Sequence, residues 1–191
     1  VKIVSGKMSS KERDKSVSII ILVRHGHTPT TGKILPGRAK GLHLSELGKE
    51  QASKVATNLS MLENVKAVYA SPMERTLETA KPIASAFGLK VQRNRGLIEA
   101  DFGKWTGRKL SDLRKLSDWE IVQKNPSLFR FPDGESFIEI QSRMVETITR
   151  ISDKHRGETV IAVSHADTIK AFLTAMLGTP HDLFQRLHIS P

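Results

Sequence analysis

Two histidines stand where apolar runs end. Ile19-Ile20-Ile21-Leu22-Val23 empties into Arg24-His25-Gly26, and Thr159-Val160-Ile161-Ala162-Val163 empties into Ser164-His165-Ala166-Asp167. Short apolar runs that stop at a turn read as buried strands, and parallel sheets keep their sites at that edge. An imidazole beside a guanidinium suits nucleophilic attack on an anion. Arg holds a permanent positive fork, while His can be neutral and nucleophilic near pH 7.

Arg75 joins them if Ser71-Pro72-Met73-Glu74 opens a helix directly after the strand Ala67-Val68-Tyr69-Ala70. The spacing predicts Ser71 as N-cap, Pro72 as first helical residue and Glu74 as the partner in a capping box. Helix amino ends add partial positive charge at the same edge. Four cationic or potentially cationic groups without a fixed counter-ion would repel one another, and a bound phosphate resolves this. Phosphoryl transfer asks mostly for positioning and charge stabilisation. It also needs an acid for the leaving oxygen. Glu99, in the loop Leu97-Ile98-Glu99-Ala100-Asp101-Phe102-Gly103, is the candidate, with Asp101 as the fallback. A carboxyl in a partly apolar pocket has its pKa raised, which fits it for that task.

The elements that must carry these groups alternate. Strands are expected at about 18–24, 67–70, 89–93 and 159–163, and helices at about 46–59, 71–87 and 166–177, with a further long helix beginning at Ser136. Short helical pieces are expected at about 108–124. Gly88 suits a left-handed helix end, and Ser136 with Glu139 forms a second capping box. Phe137, Ile140, Met144, Val145, Ile148 and Ile151 share one helical face and read as core. The alternation implies an α/β three-layer sandwich, with a mostly parallel doubly wound sheet and helices on both faces.

The motifs, in order, resemble those of the histidine phosphatase superfamily, which includes the cofactor-dependent phosphoglycerate mutases. They are Arg24-His25-Gly26 with Thr28, Leu44-Ser45-Glu46-Leu47-Gly48 with Gln51-Ala52, Ser71-Pro72-Met73-Glu74-Arg75-Thr76 with Thr79-Ala80, Glu99 with Asp101-Phe102-Gly103 and Trp105-Thr106-Gly107, Pro132-Asp133-Gly134-Glu135-Ser136, and Ser164-His165. The resemblance implies a covalent phosphohistidine on His25, with Arg24, Arg75 and His165 holding the phosphoryl oxygens. It makes Glu99 the proton donor, lets Thr28 add a hydroxyl contact, and requires no metal and no cofactor. Arg38, in a glycine-rich loop, is a further candidate for substrate binding. The chain departs from the family pattern at His27, Thr31 and Ala166-Asp167. The short segment between Glu99 and Pro132 favours a phosphatase acting on a small phosphorylated metabolite over a mutase, which is the alternative.

Composition bounds the rest. A chain of 191 residues fits one catalytic domain, here residues 18–191, after a basic extension at 1–17 that reads as flexible and carries no signal-peptide core. There is no cysteine, so disulfides, thiol catalysis and cysteine-based zinc sites are excluded. No apolar stretch has the length of a membrane helix, so no membrane partner is expected and the cytoplasm is the expected location; a homodimer is allowed. The net charge of +10 favours anionic partners. Aromatic and basic residues do not interleave, so no nucleic acid is expected. Two other readings compete. His25-x-His27 and His165-x-Asp167 have the form of metal-ligand pairs, and the basic surface would suit a non-catalytic binder of nucleic acid or phosphopeptides.

Overall fold

The computed structural model describes residues 17–191, so the expected extension lies outside the described residues except for Val17. The elements run β1 (Ile19–Arg24), α1 (Glu46–Leu59), β2 (Val65–Ala70), α2 (Glu74–Ala86), β3 (Val91–Arg93), α3 (Leu110–Leu113), α4 (Ser117–Lys124), α5 (Phe137–Lys154), β4 (Thr159–Ser164) and α6 (Ala166–Met176).

All four strands are parallel, in the order β1-β4-β2-β3. The pleat sends alternate side chains to opposite faces. On one face Ile20, Leu22, Ala67, Tyr69, Val160 and Ala162 pack under α5 and α6, against Met144, Ile148, Ile151 and Phe172. On the other, Ile21, Val23, Val68, Ala70, Ile161 and Val163 pack under α1 and α2, against Ala56, Ala80, Ile83 and Ala84. This is the expected three-layer arrangement. Val65 breaks the alternation: it lies on the same face as Val68 because the register shifts between Val65 and Ala67. One extra residue there reverses the facing of everything before it.

A third cluster lies beyond the strand ends. Phe102, Trp105, Phe129, Phe131, Phe137 and Phe184 pack on Leu113, Val122 and Ile140, with the rings of Phe102 and Phe131 edge-on at 4.8 Å. It gives the irregular segment from Ala100 to Phe137 its own buried core beside the sheet's carboxyl edge.

Local signals succeed and fail for identifiable reasons. Ser136 caps α5 through a reciprocal capping box with Glu139, as expected. Val145 on that helix is only half-buried, at the margin of its apolar face. Gly88 follows α2 with φ +64°, the left-handed conformation that suits a chain reversal. The expected cap at Ser71 is a correction: α2 begins three residues later, with Met73 at the N-cap and no side-chain cap bond. Ser71 stays on the strand side, its N–H donating to Val163 O at 3.0 Å, and its hydroxyl is taken by His165. Two strand boundaries also move: the second strand starts at Val65, and the third is shortened to Val91–Arg93.

Candidate active site

The carboxyl ends of β1, β2 and β4 bring Arg24, His25, Ser71, Ser164 and His165 to one edge. His25 N–H donates to Ser164 O at 3.0 Å, extending the β1–β4 ladder by one residue and holding the His25 backbone. The next residue is held from the other side, Gly26 N–H donating to Thr79 Oγ1 at 3.0 Å. Helix α1 docks by its first turn on the same bend. A Cβ added to Gly26 would stand 2.5 Å from Gly48 O, and one added to Gly48 would stand 2.1 Å from His27 O. Only two glycines allow that approach, which is the physical content of the Leu-Ser-Glu-Leu-Gly motif.

His25 is 6% exposed, and its Nδ1 lies 2.8 Å from Gly26 O. A carbonyl only accepts, so Nδ1 carries the proton and Nε2 presents a lone pair. Arg75 Nε donates to that Nε2 at 3.3 Å. Burial first, and the Arg75 charge second, lower the His25 pKa to about 3, so the ring is neutral at pH 7.

Arg75, in the first turn of α2, is fully buried, and its Nη2 donates to Gly37 O at 2.9 Å and lies 3.2 Å from His165 Nδ1. His165, also fully buried, is the N-cap residue of α6. Its Nε2 is 2.8 Å from Ser71 Oγ, and its ring stands 5.2 Å from that of His25. Burial, then the Arg75 charge, holds its pKa well below the usual histidine value. Two neutral imidazoles and a guanidinium thus share a buried pocket. Arg75 Nη1 and Arg24 Nε are buried without a hydrogen-bond partner among the described residues. Buried donors left unpaired cost free energy, so the site is built for an acceptor such as a phosphoryl oxygen.

Glu99 is 6% exposed, and its Oε1 accepts from Ala100 N–H at 2.9 Å and from Thr168 Oγ1 at 3.0 Å. Oε2 lies 3.7 Å from His165 Nδ1, outside hydrogen-bond range, and faces the pocket. Burial, followed by the nearby Asp167 charge, pushes the Glu99 pKa up to about 7.

Of the expected residues, the structure therefore gathers His25, Arg75, His165 and Glu99. Arg24 lies in the electrostatic field of Asp167 and Glu99, and its Nη1 donates to Ile189 O at 2.5 Å. Thr28 is buried, with its hydroxyl 3.0 Å from Thr31 Oγ1 and 3.2 Å from Thr30 Oγ1. Arg38 is not held open for an anion. Its Nε donates to Glu99 O at 2.8 Å, Nη1 to Asp101 at 3.1 Å, and Nη2 pairs with Glu135 at 2.9 Å. Asp101 is tied to Arg38 and to Gly103 N–H.

The ligand pairs do not converge on a metal. His27 turns away from His25, with its N–H on Gln51 at 2.8 Å and its Nδ1 3.0 Å from Ser45 Oγ. Among the described residues no three His, Asp or Glu side chains are grouped to hold a metal ion. Sequence reasoning missed Ser71 as the partner of His165, Thr168 as the donor to Glu99, any role for Glu135 within its motif, and Arg143. Ser71 had a signal: it follows a strand end, as His25 and His165 do.

The chain is similar to known proteins in sequence and in fold. A family model described as histidine phosphatase superfamily (branch 1) matches residues 20–191. Phosphoserine phosphatase 1 of Hydrogenobacter thermophilus is 34% identical over 164 residues, covering 83% of this chain and 76% of that protein. Longer mycobacterial relatives are 31% identical, and the chain spans about half of them (47%). Bacillus stearothermophilus YhfR superposes with a TM-score of 0.83 at 28% identity, covering 90% of this chain and 85% of that one. Phosphoserine phosphatase from Entamoeba histolytica, in complex with 3-phosphoglyceric acid, has a TM-score of 0.80 at 25% identity, with the same coverage of 90% and 85%.

Proposed function

The chain belongs to the histidine phosphatase superfamily, and from that premise we propose how its residues hydrolyse a small phosphorylated metabolite. It is a phosphatase; mutase activity is the alternative. The observation that carries the assignment of roles is the tautomer of His25, neutral and protonated on Nδ1, with its Nε2 lone pair set against Arg75.

In the first step Nε2 attacks phosphorus in line, the P–O ester bond breaks, and Glu99 Oε2 gives its proton to the leaving oxygen. Arg24, Arg75 and His165 hold the phosphoryl oxygens. Charge that gathers on those oxygens meets donors that are already oriented. In the second step water attacks phosphorus and passes a proton to the Glu99 carboxylate. The P–N bond breaks, the lone pair returns to Nε2, and phosphate leaves. Glu99 is suited to both steps because burial places its pKa near neutrality. No step needs a metal.

The relatives named phosphoserine phosphatase favour a small carboxylated phosphomonoester as substrate. No helix among the described residues is long and apolar enough to cross a membrane. We place the enzyme in the cytoplasm, as a possible homodimer without nucleic-acid partners; cell fractionation and light scattering check these points. The function is tested by turnover of p-nitrophenyl phosphate in excess chelator. Activity that persists there and is lost in His25→Ala supports it, and full activity in that variant would sink it. Isomerisation of phosphoglycerate stimulated by its bisphosphate would establish the mutase instead.

A further inference from the structure

Glu135 lies outside the pocket, yet two arginines that grip the Glu99 loop converge on it. Its Oε1 accepts from Arg143 Nε at 3.0 Å. Its Oε2 accepts from Arg143 Nη2 at 3.1 Å, from Asp101 N–H at 2.9 Å, and pairs with Arg38 Nη2 at 2.9 Å. The backbone doubles the link, Glu135 N–H donating to Asp101 O at 2.9 Å. Burial works to raise the Glu135 pKa, but the Arg143 and Asp101 hydrogen bonds outweigh it and the carboxyl stays ionised.

The same arginines reach past Glu135 to the chain on either side of Glu99. Arg143 Nη1 donates to Gly96 O at 2.7 Å and to Ile98 O at 2.8 Å. Arg38 Nε donates to Glu99 O at 2.8 Å, and Ser164 Oγ donates to Leu97 O at 2.8 Å. Four consecutive carbonyls, from Gly96 at a single 3-10 turn to Glu99 in the loop after it, thus each receive a side-chain donor. Such groups must find partners, and their partners here set the path of the chain. The approach is closed by two glycines: a Cβ on Gly134 would stand 2.3 Å from Asp101 O, and one on Gly103 would stand 1.9 Å from Pro132 O.

We propose that Glu135 is a positioning residue for the proton donor: by fixing Arg38 and Arg143 it holds the Gly96–Asp101 backbone so that Glu99 Oε2 faces the leaving oxygen. Arg38 belongs to this bracket rather than to the substrate. Arg143 serves one carboxylate and two carbonyls, and Arg38 two carboxylates and one carbonyl, a spread that suits a planar fork better than the single point charge of a lysine. The proposal rests on the reading of Glu99 as the acid.

An acid matters most when the leaving group is basic. Phenyl phosphate and p-nitrophenyl phosphate fill nearly the same space, while their leaving groups differ by about three pKa units. The ratio of kcat/KM between them reads the phosphoryl-transfer step and is blind to the fraction of folded enzyme. Glu99→Gln is the reference and loses activity on phenyl phosphate selectively. Glu135→Gln and Arg143→Lys are expected to repeat that selectivity, with the phenyl to p-nitrophenyl ratio falling roughly tenfold. Either variant suffices if the other does not fold. If Glu99→Gln is selective and both others leave the ratio unchanged, Glu135 only stabilises the fold and the proposal is overturned. If Glu99→Gln itself leaves the ratio unchanged, the assignment of the acid fails and this proposal falls with it.

Discussion

Arg75 Nε donates to His25 Nε2 at 3.3 Å, so the guanidinium touches the one ring nitrogen that is free to react. Gly26 O already holds the other nitrogen. Burial and then the Arg75 charge keep the ring neutral, the two contacts keep it aimed, and an arriving phosphoryl oxygen can draw Arg75 away and release the lone pair.

Arg75 is a fully buried cation with one nitrogen, Nη1, unpaired, so it serves the ligand at a cost to the free protein. In Arg75→Met, kcat/KM is expected to fall by about 10²–10³-fold. The melting temperature in phosphate-free buffer should hold steady or rise, while the stabilisation that phosphate gives the wild type disappears. Thermal scans with and without phosphate check this; a variant that keeps the wild-type phosphate shift contradicts it.

Glu99 acts twice, so its loss should separate the two steps. With p-nitrophenyl phosphate, Glu99→Gln should release a burst of nitrophenol close to the enzyme concentration and then turn over slowly, at least about a hundredfold below wild type. Stopped-flow absorbance measures the burst, and the trapped enzyme should carry acid-labile, base-stable phosphate. A linear trace with no burst argues against the second role.

The pH profile follows from the same groups. The acid must be protonated for the first step, so kcat/KM on phenyl phosphate should decline as pH rises above about 7, where Glu99 ionises. Stability carries the opposite signs for the two groups. The folded pKa of His25 is lowered from 6.5 to about 3, so the unfolded chain binds its proton first and stability falls as pH drops through that window. The folded pKa of Glu99 is raised from 4.5 to about 7, so its contribution to stability is lost as pH rises from 4.5 to 7. Urea titrations of His25→Ala should show a flatter acid limb than wild type, and those of Glu99→Gln a flatter limb between 4.5 and 7.

The glycine contact under the nucleophile is open to direct test. Gly48→Ala places a methyl 2.1 Å from His27 O and must push α1 away from the bend. A loss of about 2 kcal/mol or more is expected in urea unfolding, with reduced kcat from a displaced His25. Wild-type stability in that variant would show that the bend has slack.

Residues at strand ends were legible because each is announced by its own apolar run: His25, His165 and the arginine one turn beyond Ala70. The sheet followed from short apolar runs stopped by turns, and the long helix α5 from its capping box and its apolar periodicity. What could not be read was side-chain choice among competing partners. Ser71 has the sequence of a helix cap, but His165, far along the chain at the N-cap of α6, takes its hydroxyl. Arg38 has the sequence of an exposed loop cation, but Asp101 and Glu135 absorb it. Arg143 sits in a helix with no local sign that its fork reaches Gly96 and Ile98. Long-range polar pairing leaves no periodic trace in the chain.

Strand order has a consequence for how the enzyme comes into being. β1 and β2 do not pair; each pairs with β4 on its inner side, and of the four strands β4 is the one synthesised last. Until residue 159 onward has emerged, a nascent chain therefore lacks the strand that pairs with both the β1 that precedes His25 and the β2 that precedes Arg75. Insertion of that one strand joins β1 to β2 and delivers His165, so partial products of synthesis are expected to be catalytically silent.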